Sequence, residues 1–454
     1  MNSLHTHPIL TEIQDQKLLL LVFCDLLILA GLAFLSPFQI IGVVLIFFFA
    51  AFFILSPLGY LYFLLIWIPY EPLILPEGES VRILRLFAIF TIILLGWLKY
   101  WLAEKPIRFP NKYIMVPILI FFGWSAITIF FSPFPFSAMF EFIKMLAFLA
   151  IFILVYNVID SQTDLKKFLY FLFVISIPIY IAAYYQFFAL GYLRVWGILG
   201  NPNTLGVFSV ATTASALVLR ELKVNSENKR TIVYVWIFLS ISALILSGSR
   251  ASIFSLIVFV AVYLYLRRKH VILLSLIIVG LIGIYYIFHS HALFMDFARV
   301  TRILGGLSGR TIIWETSLEL IKDYPLFGVG PGNVSNLLYS YAQATHPIVT
   351  IDLRSAMERG MIHNGYLQRL AEIGIVGLSI VLWIIWRFMK MLYSRVRTNS
   401  SQSLGKISIV VLALFIGRLG HSLFESSLDI GPYTVELSVL LIYAAILKLH
   451  DTKN

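Results

Sequence analysis

Apolar runs long enough to cross a bilayer recur along almost the whole chain, and this restricts the fold more than any other feature. An α-helix of roughly 17–25 apolar residues spans the hydrocarbon layer, and lipid offers no hydrogen-bond partner to backbone left open inside it. The runs predict spans at 18–35, 38–55, 57–70, 83–103, 113–131, 140–159, 165–187, 203–220, 231–246, 251–266, 271–289, 366–386, 407–423 and 433–449. The first three are short and divided only by Ser36-Pro37 and Ser56-Pro57, so a re-entrant pair there would leave twelve spans instead of fourteen. Composition agrees: only 13% of the 454 residues are charged, where a soluble domain carries about a quarter. The expected fold is all-α, a polytopic membrane protein of 12–14 transmembrane helices forming one integral membrane domain over 1–454.

The net charge of +11 does not indicate nucleic acid, because the cations sit in short clusters between apolar runs. Lys105/Arg108/Lys112, Lys166/Lys167, Arg220/Lys223/Lys229/Arg230, Arg267/Arg268/Lys269 and Arg387/Lys390/Arg395/Arg397/Lys406 hold half of the 34 basic residues and fall on one side of the predicted topology. The opposite short loops carry only Arg82, Arg194 and Arg250. By the positive-inside rule the clustered side is cytoplasmic, both termini lie there, and residues 290–365 face outward as one large loop. Glu12 and Asp15 beside Lys17 argue against a cleavable signal, so the first run is expected to remain as a helix. Cys24, the single cysteine, lies in an apolar run, which excludes an intrachain disulfide.

A connection as long as 290–365 is expected to carry structure or function of its own. Within it, Ser308-Gly309-Arg310 precedes an amphipathic pattern over 311–323, with Trp314, Leu318 and Ile321 on one face and Glu315, Glu319 and Lys322 on another. Such a helix would lie along the membrane surface or cap the spans. The glycines of the following YPLFGVGPGN, Gly328, Gly330 and Gly332, suit a tight turn or an anion-holding nest.

Where this loop re-enters the membrane, the chain reads MIHNGYLQRLAEIGIVGL from Met361. A helix beginning near His363 would align it with Leu367, Leu370, Gly374 and Gly377, the two glycines admitting a close neighbour. An imidazole at a membrane boundary can accept a proton at neutral pH; the plain alternative is a hydrogen bond to a loop carbonyl. On a straight helix Glu372 would point away from His363, so a structural role is expected, with Arg369 as one partner. Arg250, in SGSRASIF, starts a span on the cation-poor side, and Arg310 starts the loop helix; two such guanidinium groups can hold a diphosphate or meet lipid headgroups. His421 and Glu425 stand four residues apart at the outer end of a span and can meet as a polar pair. Asn201 and Asn203 flank Pro202 at another span start, placed for capping or for touching a sugar. No P-loop, HExxH, GxSxG or Asp-x-Asp pair is present, Glu77-x-Glu79 falls outside the spans, and neither a metal nor a cofactor is expected.

HNGYLQRLAEIGIVGL resembles the HNxxLxxxxExGxxG signature of the O-antigen ligase and polymerase superfamily, through His363, Asn364, Leu367, Glu372, Gly374 and Gly377. GSR at 248–250, SGR at 308–310 followed by Trp314, and PLFGVGPGN at 325–333 extend the resemblance over roughly 200–380. The resemblance, strongest to the ligases, implies a GT-C-like glycosyltransferase in a bacterial inner membrane with its active site on the periplasmic or other extracytoplasmic face. The donor would be a glycan on a polyprenyl diphosphate such as undecaprenyl diphosphate. A ligase would transfer that glycan to a hydroxyl of lipid A-core, contributing to lipopolysaccharide; a polymerase would transfer it to another lipid-linked repeat. Either reaction would invert the anomeric carbon without a metal. His363 would take the acceptor proton, Arg250 and Arg310 would stabilise the departing diphosphate, and Asn364 would orient the imidazole or the acceptor. The competing class is a lipid-linked glycan transporter, against which Asp25, Glu141, Lys144 and Glu436 fall in or near span ends and do not line a path.

Overall fold

A computed structural model describes residues 106–222, 227–289, 309–345, 351–398 and 402–426, with a few positions between Gly59 and Glu104. The expected spans at 18–35, 38–55 and 433–449 lie outside the described residues, as do most of 57–70, part of 83–103, and Cys24, Asp25, Glu77, Glu79 and Glu436. The helices that bear on the site are α1 (Lys112–Phe130), α2 (Pro135–Val158), α3 (Gln162–Phe188), α4 (Pro202–Glu221), α5 (Glu227–Ser247), α6 (Arg250–Leu266), α7 (His270–His289), α8 (Arg310–Asp323), α9 (Val334–Thr345), α10 (Ile351–Glu358), α11 (Gly365–Thr398) and α12 (Ser403–His421).

Seven of these, α1 to α5, α11 and α12, contain stretches long and apolar enough to cross a membrane, and α6 and α7 are shorter apolar helices. The protein is an all-α, multi-pass membrane protein. Several helices begin on a polar side chain that takes up an otherwise open amide. Asn111 accepts from the Tyr113 amide, Ser161 from Asp164, Asn201 from Asn203 and Ser249 from Ser252. Pro135 and Pro202 occupy first-turn positions, where a missing amide costs nothing. The largest extensions beyond the expected bounds are at α2, which begins at Pro135 and not 140, and at α11, which continues to Thr398, past 386.

Helix α4 forms the centre of the bundle, with 78% of its apolar window buried. Its Gly206, Ser209, Ala211, Thr212, Thr213, Ala214, Ser215 and Ala216 are all buried, and such small residues let neighbouring backbones close in. A methyl on Gly206 would come within 2.5 Å of Ser252 Oγ on α6. The Tyr180 hydroxyl joins Thr212 Oγ1 at 2.5 Å and Ser240 Oγ at 3.2 Å, linking α3, α4 and α5 without stranding a polar atom.

Outside the bundle, α8, α9 and α10 build a second core from Ile313, Leu320, Val334, Leu338, Met357 and Ile362. The buried stripe of α8 is Ile313, Thr316, Ser317 and Leu320, not the expected Trp314, Leu318 and Ile321; Leu318 is 46% exposed. Thr316 and Ser317 bury at little cost because their hydroxyls bond back to the Ile312 and Ile313 carbonyls at 2.8 and 2.6 Å. The helix therefore caps the chain ahead of α11, and Trp314 Nε1 donates to the Ile362 carbonyl at 3.0 Å. The charged face is as expected, with Lys322 and Glu319 paired at 2.6 Å.

Helix α11 differs most from expectation. It starts at Gly365, with Asn364 Oδ1 accepting from the Tyr366 and Leu367 amides at 3.0 Å each, so His363 precedes the helix. At Gly374 (φ 67, ψ −175) the helix breaks, which opens hydrogen-bonding groups that must find partners. The 325–330 segment supplies most of them. Val329 N donates to the Ala371 carbonyl at 2.9 Å, Gly330 N to Glu372 at 2.8 Å, and Ile375 N to Pro325 at 2.9 Å. Trp124 Nε1 on α1 takes the Ile373 carbonyl at 2.9 Å. A Cβ on Gly374 would lie 2.0 Å from the Leu326 carbonyl oxygen, so the close neighbour there is this segment and not another helix. For Gly377 the nearest atoms are those of Ile373, one turn back in its own helix.

Candidate functional site

The 421–426 turn after α12 gathers the beginnings of four helices. From α11, Gly365 N donates to the Ser422 carbonyl at 2.7 Å, Asn364 Nδ2 to Leu423 at 3.2 Å, and the Tyr366 hydroxyl to Leu419 at 3.2 Å. From α8, Arg310 NH1 donates to the Phe424 carbonyl at 2.7 Å. From α6, Ser252 Oγ lies 3.3 Å from His421 Nε2, and the Phe254 ring meets Phe424 edge-on at 5.6 Å. From α4, Asn203 reaches Glu425. First-turn residues of four helices thus meet at one turn, and a helix start is where backbone amides favour an anion.

Glu425 binds this group together. Its Oε1 accepts from Arg310 NH2 at 2.7 Å and from Asn203 Nδ2 at 2.8 Å, while Oε2 lies 3.0 Å from His363 Nδ1. Burial pushes the Glu425 carboxyl up, but the hydrogen bond from His363, its charge whenever the ring is protonated, and the charge of Arg310 outweigh it and hold the group below the usual carboxylate range. His363 is held in a left-handed backbone conformation (φ 55), uncommon for a residue with a side chain, and its imidazole remains 18% exposed. A charged carboxylate only accepts, so this contact favours the neutral tautomer with the proton on Nδ1 and the lone pair on Nε2.

The sequence-predicted residues divide accordingly. Arg310, His363, Asn203 and Glu425 meet directly, with Asn364 adjoining through Leu423. Asn201 is the cap of α4, so capping and site contact fall on separate asparagines. The expected His421–Glu425 pairing takes the form of a backbone bond, Glu425 N to the His421 carbonyl at 3.1 Å, while the His421 ring meets Ser252. Arg250 is exposed as the first residue of α6, two residues before Ser252. Glu372 is buried against Arg369 NH1 at 2.9 Å and Gln368 Nε2 at 2.8 Å. That partner was expected, but the straight helix used to place Glu372 is not found, since His363 lies ahead of α11 and Gly374 breaks it. Gly328 and Gly330 shape a packing turn, and the Val329 and Gly330 amides are spent on α11 and not on an anion. Among the described residues no three His, Cys, Asp or Glu side chains gather to hold a metal ion.

Sequence reasoning overlooked two arginines at this end. Arg194 donates to the Ser247 carbonyl at 3.2 Å and approaches Asn203 Oδ1 at 3.5 Å, and its stem packs over Gly248. Arg418 is buried in α12, one turn before His421. Both carried a signal: Arg194 lies in a cation-poor loop, and Arg418 is a charge within an apolar run.

Residues 235–382 match the O-antigen ligase family. The match covers about a third of the chain, from within α5 to the middle of α11. Arg250, Arg310, His363 and Asn364 fall inside the O-antigen ligase match, whereas Arg194, Asn203, His421 and Glu425 reach the site from outside it. The chain is also 26% identical over 255 residues to an uncharacterized protein of Haemophilus influenzae. That similarity covers 50% of this chain and 61% of the relative, so the chain spans less than two thirds of the relative's length.

Proposed function

We propose that the protein is a membrane glycosyltransferase that moves a glycan from a polyprenyl-diphosphate carrier to an acceptor hydroxyl, as an O-antigen ligase with lipid A-core as acceptor. The observation that carries this reading is the meeting of His363 and Arg310 on one carboxylate, at the turn where first-turn residues of four helices converge. A base and an anion-holding cation are thereby adjacent, as displacement of a diphosphate by a hydroxyl requires. In the reaction, His363 Nε2 takes the hydroxyl proton as the acceptor oxygen bonds to the anomeric carbon. The bond from that carbon to the phosphate oxygen breaks on the opposite face, and the electron pair leaves with the diphosphate. Arg310 and Arg250 stabilise the charge that develops there. A guanidinium has five N–H donors, so the contacts of Arg310 to Phe424 and Glu425 do not exhaust it. Residues 290–365 and this end of the bundle face away from the cytoplasm, toward the periplasm in an inner membrane, and the whole of 1–454 serves as one membrane domain.

The test uses purified protein in detergent with a polyprenyl-diphosphate-linked glycan, with and without lipid A-core, resolved on a gel. Transfer that depends on lipid A-core is the expected result. A ladder from donor alone would make the protein a polymerase, and donor bound without turnover in either lane would point to a transporter.

A further inference from the structure

Glu425 lies outside the matched family segment and 62 residues from His363 in sequence, yet it is the group on which the site closes. We propose that Glu425 is a positioning residue: Oε2 holds the His363 ring with Nδ1 protonated and Nε2 turned to the acceptor, while Oε1 fixes Arg310 beside it. The proposal rests on the reading of His363 as the base. Three features support it. The two oxygens divide their partners, His363 on one and Arg310 with Asn203 on the other. The left-handed backbone at His363 lets the ring meet a group beyond the end of α11. The 421–426 turn is itself fastened to α11 by Gly365 N and Asn364, and Tyr366 ties α11 to α12 at Leu419, so the carboxylate and the imidazole belong to one tied unit.

The chemical role follows from proton balance. When His363 Nε2 receives the hydroxyl proton, the ring becomes a cation with both nitrogens protonated. Glu425 keeps its negative charge against Nδ1–H and neither gains nor loses a proton. Without it the new cation would stand beside Arg310, which shares the same carboxylate; of the other groups at this end, Arg194 reaches Asn203, Arg250 heads α6, and Arg418 and the uncharged His421 ring lie on α12. On α11 the other acid, Glu372, is paired with Arg369.

The experiment compares Glu425→Gln, Glu425→Asp and His363→Ala with wild type, in detergent, for transfer from a polyprenyl-diphosphate-linked glycan to lipid A-core across pH. Glu425→Gln should lower kcat about 10²–10⁴-fold. It should also move the acid limb of its pH–rate profile to lower pH, since the imidazole loses its counter-charge. Glu425→Asp, which keeps the charge, should restore the limb. A wild-type rate and limb in Glu425→Gln, with His363→Ala silent, would overturn the proposal and leave His363 as the base. Turnover in His363→Ala would instead remove the base reading. A readout independent of activity and of any Glu425 variant is 15N-histidine NMR of the wild type, with the His363 signals identified by their loss in His363→Ala. Nδ1–H with unprotonated Nε2 is expected, and the opposite tautomer would overturn the proposal even in a preparation that transfers nothing.

Discussion

Replacing Gly374 with alanine should destabilise the protein by about 4–6 kcal/mol. Gly374 has φ 67 and ψ −175, a region essentially closed to residues with a side chain and costing about 1–3 kcal/mol when forced. A new Cβ would also stand 2.0 Å from the Leu326 carbonyl oxygen and 2.3 Å from its carbon, which are backbone atoms with no rotamer to change. Relief requires the 325–330 segment to withdraw from α11. That loses the Val329–Ala371, Gly330–Glu372 and Ile375–Pro325 hydrogen bonds, at about 1 kcal/mol net each. The assay is the thermal unfolding midpoint in detergent, followed by loss of the monodisperse peak on size exclusion. Gly123→Ala serves as the control, because that α1 position is helical and a Cβ there meets nothing within 4 Å. Alanine at 123 should leave the midpoint unchanged or slightly raised, while alanine at 374 should lower it by several degrees or abolish the peak. Equal midpoints for both variants and wild type would refute the reasoning, and with it the view that the break in α11 is built around this glycine.

Further expectations follow from the site. Arg310→Lys keeps the charge but cannot serve the Phe424 carbonyl and Glu425 together in the geometry of a planar fork; transfer should fall about 10–100-fold with the fold intact, measured as initial rates on folded protein. Arg250→Lys should also impair transfer while leaving the unfolding midpoint within about 1 °C, since the residue is exposed at the first position of α6. Glu425 adds a pH dependence to stability. Its carboxyl titrates below its ordinary value in the folded protein, so its contribution is fully present above that value and is lost as pH falls through the lowered one. Unfolding midpoints between about pH 7 and pH 3 should fall less steeply in Glu425→Gln than in wild type.

The membrane helices were legible in the sequence because each needs only local information: an apolar run, a capping side chain and a proline in the first turn. Asn201, Ser249 and Gly309-Arg310 mark the starts of α4, α6 and α8 where the residue types indicate. The stripe of α8 was misjudged because two of its buried members are Thr316 and Ser317, which local hydroxyl–carbonyl bonds make compatible with burial. The break at Gly374 was hidden for a different reason. A glycine in a helix suits close packing as well as it suits a positive φ, and the segment that fills the break begins almost fifty residues earlier in the chain. The hub at Glu425 was the least legible, since its partners Asn203, Arg310 and His363 lie 222, 115 and 62 residues away. Its four-residue spacing from His421 pointed to that histidine, whereas the turn after α12 carries the carboxylate to His363 instead.

The decisive measurement is single-turnover glycan transfer by purified His363→Ala, run beside a donor-binding assay on the same preparation. If His363 is the base, the variant binds the polyprenyl-diphosphate-linked glycan as wild type does, and its chemical step is slower by about 10²–10⁴-fold. Transfer at a rate close to wild type, with donor bound equally well, would contradict His363 as the base and require another group to take the acceptor's proton.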